Sequence, residues 1–299
     1  MTTISSTANG TISIGRIQLS TGVELEYAEK GARDGVPVLL LHGITDSWRS
    51  YEPLMAELPD TMRVFALSQR GHGDSSRPAH GYRTRDFAAD AAAFIEALDL
   101  GPALVVGHSM GSTNAARLAL DYPQRLSGLV LIGAFASYAV HAGFVEWHAS
   151  TIAPLQDPVP RELALGFQLD TLATPVAPAF LDMVVAESLK VPAGVWRAAF
   201  AGLLEDDFTT ELGRISMPTH VIWGDRDAFV PRADQDRLLR EIAHATYSEY
   251  AATGHAVHWE QPARVAADLE AFAQSIGLLT GMPRAVSGSA LRGDRAPSV

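Results

Sequence analysis

Short apolar runs recur along the chain, and helical patterns fill the intervals between them. Residues 38–41, 63–66, 103–106, 129–132 and 220–223 are runs of this kind. Such runs suit strands buried on both faces of a parallel sheet. Before them, residues 12–19 and 23–28 alternate apolar with polar around the turn signal Ser20-Thr21-Gly22. That pattern predicts an antiparallel hairpin at one edge of the sheet. Residues 84–98 carry Phe87, Ala91, Phe94, Ile95 and Leu98 at helical spacing. Residues 114–120, 232–242 and 263–276 continue the helical series, and 245–250 reads as a last strand. Strand and helix in alternation predict an α/β fold, a mostly parallel central sheet with helices on both faces.

Two regions break this rhythm. Residues 134–213 are helical in pattern without a convincing strand, and Pro154, Pro158, Pro160, Pro175, Pro178 and Pro192 divide them into short segments. They read as an inserted helical cap. The catalytic core is then expected over 1–133 and 214–280. The Gly-, Ser-, Arg- and Pro-rich tail, 281–299, is expected to be disordered. A chain of 299 residues suits one such core with its insert. No internal repeat stands out.

Composition removes several function classes. The chain has 34 acidic against 23 Lys and Arg residues, a formal net charge of −11. It repels phosphate backbones and anionic lipid heads, so neither nucleic acid nor a membrane is an expected partner. There is no cysteine, which excludes disulfides, thiolate metal sites and a cysteine nucleophile. His141 and His148 lack metal-ligand spacing, and no metal is expected. Residues 1–10 have neither a basic region nor an apolar stretch of the signal-peptide kind. No stretch approaches the roughly 18 apolar residues of a membrane span. A soluble cytoplasmic protein, monomer or homodimer, is the expectation.

The sharpest chemical signal is Gly107-His108-Ser109-Met110-Gly111. It follows an apolar run and precedes a helical pattern, the setting of a nucleophile elbow. The two glycines let strand and helix approach closely, and Ser109 is lifted to the carboxyl edge of the sheet. A serine hydroxyl is a weak nucleophile and needs a base. Among ten histidines, His255 follows the strand-like 245–250 and precedes the last helix, which places it at the same edge. His258 is its nearest rival. His108 lies beside the nucleophile and is expected to point away from it. His42 and His72 lie in glycine-rich loops.

The base needs an acid to fix its tautomer. Asp225 and Asp227 compete in the loop after residues 220–223; Asp227 lies further into the loop and is preferred. The run 129–132 ends in Gly133-Ala134-Phe135 and offers no carboxylate. The order Ser, Asp, His is the order of the α/β-hydrolase arrangement. A developing oxyanion needs N–H donors, each worth roughly 3–4 kcal/mol of barrier lowering. The backbone of Met110 supplies one candidate and that of Ile44, in His42-Gly43-Ile44, the other.

Together these residues resemble the α/β-hydrolase superfamily over about 36–132 and 217–276. The family-like motifs are Leu41-His42-Gly43 with Ser47-Trp48, Arg70-Gly71-His72-Gly73-Asp74-Ser75, the Ser109 elbow, and Gly254-His255 running into Trp259-Glu260-Gln261-Pro262. Gly224, Asp227 and Pro231 are similar to the family's acid loop and favour Asp227 over Asp225. The resemblance implies Ser109 as nucleophile, His255 as base and acid, Asp227 as orienter, and Ile44 and Met110 as oxyanion donors. Departures narrow the group. Haloalkane dehalogenases and soluble epoxide hydrolases carry Asp at the elbow, dienelactone hydrolases carry Cys, and plant-type hydroxynitrile lyases use a lysine where Ala256 stands. Carbon–carbon hydrolases typically have Asn in place of His108.

The expected function is cofactor-free hydrolysis of an ester or lactone, in the manner of carboxylesterases, haloperoxidase-like perhydrolases and enol-lactonases. A carbon–carbon hydrolase of ring-fission diketones, or a ligand-binding receptor on the same fold, is the alternative. Trp196, Phe200 and Leu203 share a helical face in the cap. With Trp147 they suggest a pocket for a small to medium hydrophobic substrate; the alternative is that this stripe is simply core.

Overall fold

The apolar runs of the sequence become the middle of one nine-stranded sheet. The computed structural model of the protein describes residues 3–7 and 10–279; the tail expected to be disordered, 281–299, lies outside them. The strands are β1 (Thr3–Thr7), β2 (Gly10–Gln18), β3 (Glu24–Lys30), β4 (Val36–Leu41), β5 (Met62–Leu67), β6 (Ala103–His108), β7 (Leu126–Ile132), β8 (Thr219–Gly224) and β9 (Thr246–Tyr250). The helices are α1 (Glu52–Glu57), α2 (Thr84–Ala97), α3 (Met110–Asp121), α4 (Ala142–Trp147), α5 (Arg161–Asp170), α6 (Pro178–Lys190), α7 (Ala193–Glu205), α8 (Arg232–Glu241), α9 (Val257–Glu260) and α10 (Pro262–Ser275).

The sheet order is β1-β2-β3-β5-β4-β6-β7-β8-β9. The pairings β1–β2, β2–β3 and β3–β5 are antiparallel, and every pairing from β5 to β9 is parallel. Alternate side chains enter different cores, as strand geometry requires. Leu39, Leu41, Phe65 and Val105 pack with α2 and α3 on one face. Leu40, Val64, Leu104 and Val106 pack with α1 and α10 on the other. Each such fully buried Leu or Phe contributes about 1.5–3 kcal/mol.

From β4 the chain moves outward to β5 and then returns to β6 on the opposite side of β4. This reversal opens a crevice beyond the carboxyl ends of β4 and β6, where ligands bind in open α/β sheets. The loops after β4 and β6 carry Gly43-Ile44 and Ser109 into it.

Two elements differ from the sequence expectation. β1 pairs outside β2, so the hairpin lies one strand in from the edge. Its sequence, Thr-Ile-Ser-Ser-Thr, offers one apolar residue and no alternation to detect. Helix α3 starts at Met110 rather than at residue 114, because the chain turns directly from β6 into the helix.

Between β7 and β8 the described chain holds α4 to α7, a π-helical turn at His148–Ile152, and no named strand. Several prolines start helices here instead of only breaking them. Pro160 and Pro192 precede α5 and α7, and Pro178 opens α6, where a missing N–H costs nothing. The two ends of this segment meet in a bridge between Ser137 and Asp207, with the Phe208 N–H donating to the Ala136 carbonyl at 3.2 Å. Among the described residues no helix is long and apolar enough to cross a membrane.

Candidate active site

Ser109 sits between β6 and α3 with φ 52° and ψ −119°, a strained backbone for a residue with a side chain. The surroundings impose that strain. The Ser109 N–H donates to the Ile132 carbonyl at 3.0 Å. A β-carbon on Gly107 would stand 2.1 Å from the Gly111 carbonyl oxygen, and one on Gly111 would stand 1.9 Å from that of Leu41. Only glycine fits at either position. Ser109 keeps partial exposure while its neighbours His108 and Met110 are buried.

Asp227 and His255 lie on the loops after β8 and β9. Asp227 Oδ1 accepts the N–H groups of Phe229 and Val230 at 2.8 and 2.9 Å. Oδ2 is left to His255 Nδ1, 2.7 Å away. Both side chains are almost wholly buried. The carboxylate can only accept, so Nδ1 carries the proton and Nε2 presents its lone pair. Asp225 is exposed and accepts the Thr253 N–H at 3.3 Å instead. It ties the two loops together, and the structure does not bring it to a histidine.

Gly133, at the end of β7, makes room for the imidazole. Its φ is 56°, and a β-carbon there would lie 2.9 Å from His255 Nδ1 and Cε1. Glu260 holds the histidine loop from below. Its carboxylate accepts the N–H groups of Gly254 (2.8 Å), Ala173 (3.1 Å) and Thr174 (2.9 Å). One side chain thereby joins the loop of His255 to the β7–β8 insertion.

Among the described residues, neither the Ile44 N–H nor the Met110 N–H has a protein acceptor. Met110 is the first residue of α3, where no intrahelical acceptor exists and the helix dipole is positive. Ile44 lines the cavity above Ser109; Met110 is buried and does not. His42 shapes the Ile44 loop. Its Nε2 accepts the Gln69 N–H at 2.9 Å, so Nδ1–H donates to the Gly43 carbonyl at 2.6 Å.

Ser109, His255 and Ile44 line one cavity of about 20 Å³, room for about one water molecule. No hydrogen bond among the described residues joins the Ser109 hydroxyl to His255; this contact commonly tightens only once a substrate is bound. An outer cavity of about 770 Å³ adjoins it. Tyr138, Phe144, Phe167 and Phe229 line both spaces and form an aromatic partition. The candidate pocket residues divide accordingly. Phe200 lines the inner cavity and Trp147 the outer one, whereas Trp196 lines neither. Trp196 is 0% exposed and packs between Phe167 and Phe200.

Two wall residues have no role in the sequence-based assignment. His108 was expected to point away from the nucleophile, yet it lines the inner cavity. Its ring packs 4.8 Å from that of His255, and Nε2–H donates to the His255 carbonyl at 3.1 Å. Burial, reinforced by His258 and His255, holds its pKa well below the ordinary imidazole value. Asp46 is another wall residue, its Oδ1 accepting Gln168 Nε2 at 2.9 Å. Burial pushes the Asp46 carboxyl up to about 8. His258, the rival base, is 0% exposed and outside the cavity wall, and neither ring nitrogen has a partner. Burial lowers it to about 3. Among the described residues no cluster of three or more His, Asp or Glu side chains is arranged to hold a metal.

Comparison with known proteins places this geometry in a family. The alpha/beta hydrolase fold family model matches residues 36–262. The non-heme chloroperoxidase of Streptomyces lividans is 31% identical over 280 residues, covering 88% of this chain and 100% of its own. The 3-oxoadipate enol-lactonase 2 of Acinetobacter baylyi is 27% identical over 247 residues, covering 80% and 89%. A thermophilic esterase from Thermogutta terrifontis superposes with a TM-score of 0.77 at 25% identity, over 88% of this chain and 98% of that one. The chain belongs to the alpha/beta hydrolase fold family.

Proposed function

We propose that the chain hydrolyses a carboxylic ester or lactone through an acyl-enzyme on Ser109, with no cofactor. The observation that carries this reading is the His255–Asp227 pair. Its hydrogen bond directs the Nδ1 proton to Asp227, so the neutral tautomer keeps its lone pair on Nε2, and the ring lies in the wall of the same cavity as the strained Ser109. In the reaction Ser109 Oγ attacks the carbonyl carbon while His255 Nε2 takes its proton. The oxyanion lies against the free N–H groups of Ile44 and Met110. His255 then protonates the departing alkoxide or enolate, and water repeats the sequence to release the acid. Asp227 holds the ring in place and stabilises the imidazolium.

Three parts of the reading concern the rest of the molecule. Residues 134–213 act as a cap over a core of 1–133 and 214–280, an assignment supported by the bridge that closes the insertion on itself. The substrate is a small to medium hydrophobic molecule, supported by the aromatic partition and the outer cavity. The net charge of −11 argues against nucleic acid and anionic membranes as partners. The relatives described as an enol-lactonase and as an esterase fit the same chemistry.

The test is a panel of esters, lactones and ring-fission diketones against the protein and its Ser109→Ala variant. Ester or lactone turnover that falls on the order of 10⁴-fold or more in the variant supports the reading. Cleavage of diketones alone would assign carbon–carbon hydrolysis, and no turnover on any member would favour a receptor.

A further inference from the structure

Two side chains in the wall of the inner cavity carry polar atoms that the acyl-transfer steps do not use. His108 Nδ1 is buried without a hydrogen-bond partner. Since Nε2–H donates to the His255 carbonyl, the neutral ring leaves Nδ1 as an acceptor. Asp46 is 3% exposed, and its Oδ2 has no partner among the described residues, the Gln168 amide occupying Oδ1. Both side chains belong to the wall that also holds Ser109. They converge: a β-carbon on Gly43 would stand 3.0 Å from His108 Nδ1 and 3.2 Å from Asp46 Oδ2. Gly43 is not among the glycines with positive φ. Glycine there keeps the space between these two atoms free of a side chain.

We infer that Asp46 and His108 form a subsite beside Ser109 that recognises a hydroxyl group on the substrate. The inference rests on the ester or lactone hydrolysis proposed above. A hydroxyl donates one hydrogen bond and accepts others. It donates to His108 Nδ1 and accepts from the Asp46 carboxyl, which burial keeps protonated at neutral pH. A methyl group satisfies neither atom, and an amide N–H satisfies only the imidazole. Burying these polar atoms under an apolar substrate leaves both unpaired, which is the basis on which hydrogen-bonding sites discriminate strongly.

The hydroxyl can belong to the acid half or to the alcohol half of the ester, and matched substrates separate the two. One pair is para-nitrophenyl butanoate and its β-hydroxy analogue. The other is ethyl butanoate and the monobutanoate of ethylene glycol. The readout is the ratio of kcat/KM within each pair, for the intact chain and for Asp46→Leu and Asp46→Asn. The expected result is a preference of about tenfold or more for the hydroxylated member of one pair, falling to within about twofold in Asp46→Leu and lying between the two in Asp46→Asn. A general structural disturbance lowers both members alike and leaves the ratio unchanged. Equal rates within both pairs for the intact chain overturn the subsite, a result that needs no variant to fold. A preference that survives Asp46→Leu overturns it as well. Hydrolysis without preference removes the subsite alone, whereas no hydrolysis of these esters or of any ester or lactone in the panel above removes the parent reading and the subsite with it.

Discussion

Gly133 lies against the imidazole of His255, and a β-carbon on it would stand 2.9 Å from two ring atoms. With φ at 56°, the position is closed to a side chain by conformation as well as by space. Gly133→Ala should therefore push His255 off Asp227. Misplacement of this order costs roughly 10²-fold in rate. We expect kcat/KM on the best ester to fall by about that factor with the far-ultraviolet circular dichroism unchanged; full activity would show that the ring tolerates the added methyl.

The two aspartates of the acid loop separate cleanly. Asp227 touches His255, whereas Asp225 touches the Thr253 backbone. Asp227→Asn should lower kcat by roughly 10⁴-fold, since an amide stabilises the wrong tautomer. Asp225→Asn should stay within about tenfold of the parent, its surface hydrogen bond being worth about 1 kcal/mol. Steady-state kinetics on both variants decides between them, and an equal loss would contradict the assignment.

The two histidines three residues apart have opposite environments. His258 is enclosed by Tyr51, His108 and Trp259, with both nitrogens unpartnered. His258→Phe keeps an aromatic ring in that space but enlarges it, and should cost about 1–3 kcal/mol, with ester turnover retained. His255→Phe should abolish turnover. Activity lost in His258→Phe and kept in His255→Phe would reverse the roles.

Stability should depend on pH in two opposing ways. Burial lowers His72 to about 4 and His258 to about 3, from 6.5. Below pH 6.5 the unfolded chain binds protons that the folded chain refuses, so stability falls as pH drops from about 6.5 toward these values. Asp46 has the other sign. Its carboxyl is raised from 3.8 to about 8, so between these values the unfolded state releases a proton that the folded state retains, and stability falls as pH rises. Asp46→Asn removes only the second effect. Urea denaturation from pH 4 to 8 should show the variant gaining on the parent chain as pH rises; a constant difference would contradict it.

The aromatic partition between the two cavities gives a size prediction. Phe167 lines both and stacks with Trp147 at 5.9 Å. Phe167→Ala should join the cavities and raise kcat/KM on bulky aromatic esters relative to acetate esters, by roughly tenfold on the scale of pocket discrimination. An unchanged ratio would place the substrate elsewhere.

Which parts were legible in the sequence follows from how local each signal is. Ser109 and Asp227 each follow an apolar run closely, and His255 follows the strand-like 245–250, so strand pattern alone puts all three at one sheet edge. The antiparallel β1 is not legible because its short polar stretch has no periodicity. Asp46 and Gln168 meet across 122 residues of chain, through the packing of the insertion, and no local pattern announces such a contact. The direction of His108 is not legible for the same reason: it is set by the His255 carbonyl, which comes from a distant loop. In the aromatic stripe of α7 the helical period correctly grouped Trp196 with Phe200, but periodicity does not say which member of a face meets a cavity and which is core.

Covalent labelling with a fluorophosphonate, read by intact-mass and peptide mass spectrometry, tests the central claim most directly. The expected result is one adduct per chain, located on Ser109, absent in Ser109→Ala and formed far more slowly in His255→Ala. An adduct on another residue, or labelling of Ser109→Ala at the rate of the parent chain, would contradict the claim that Ser109 is the activated nucleophile.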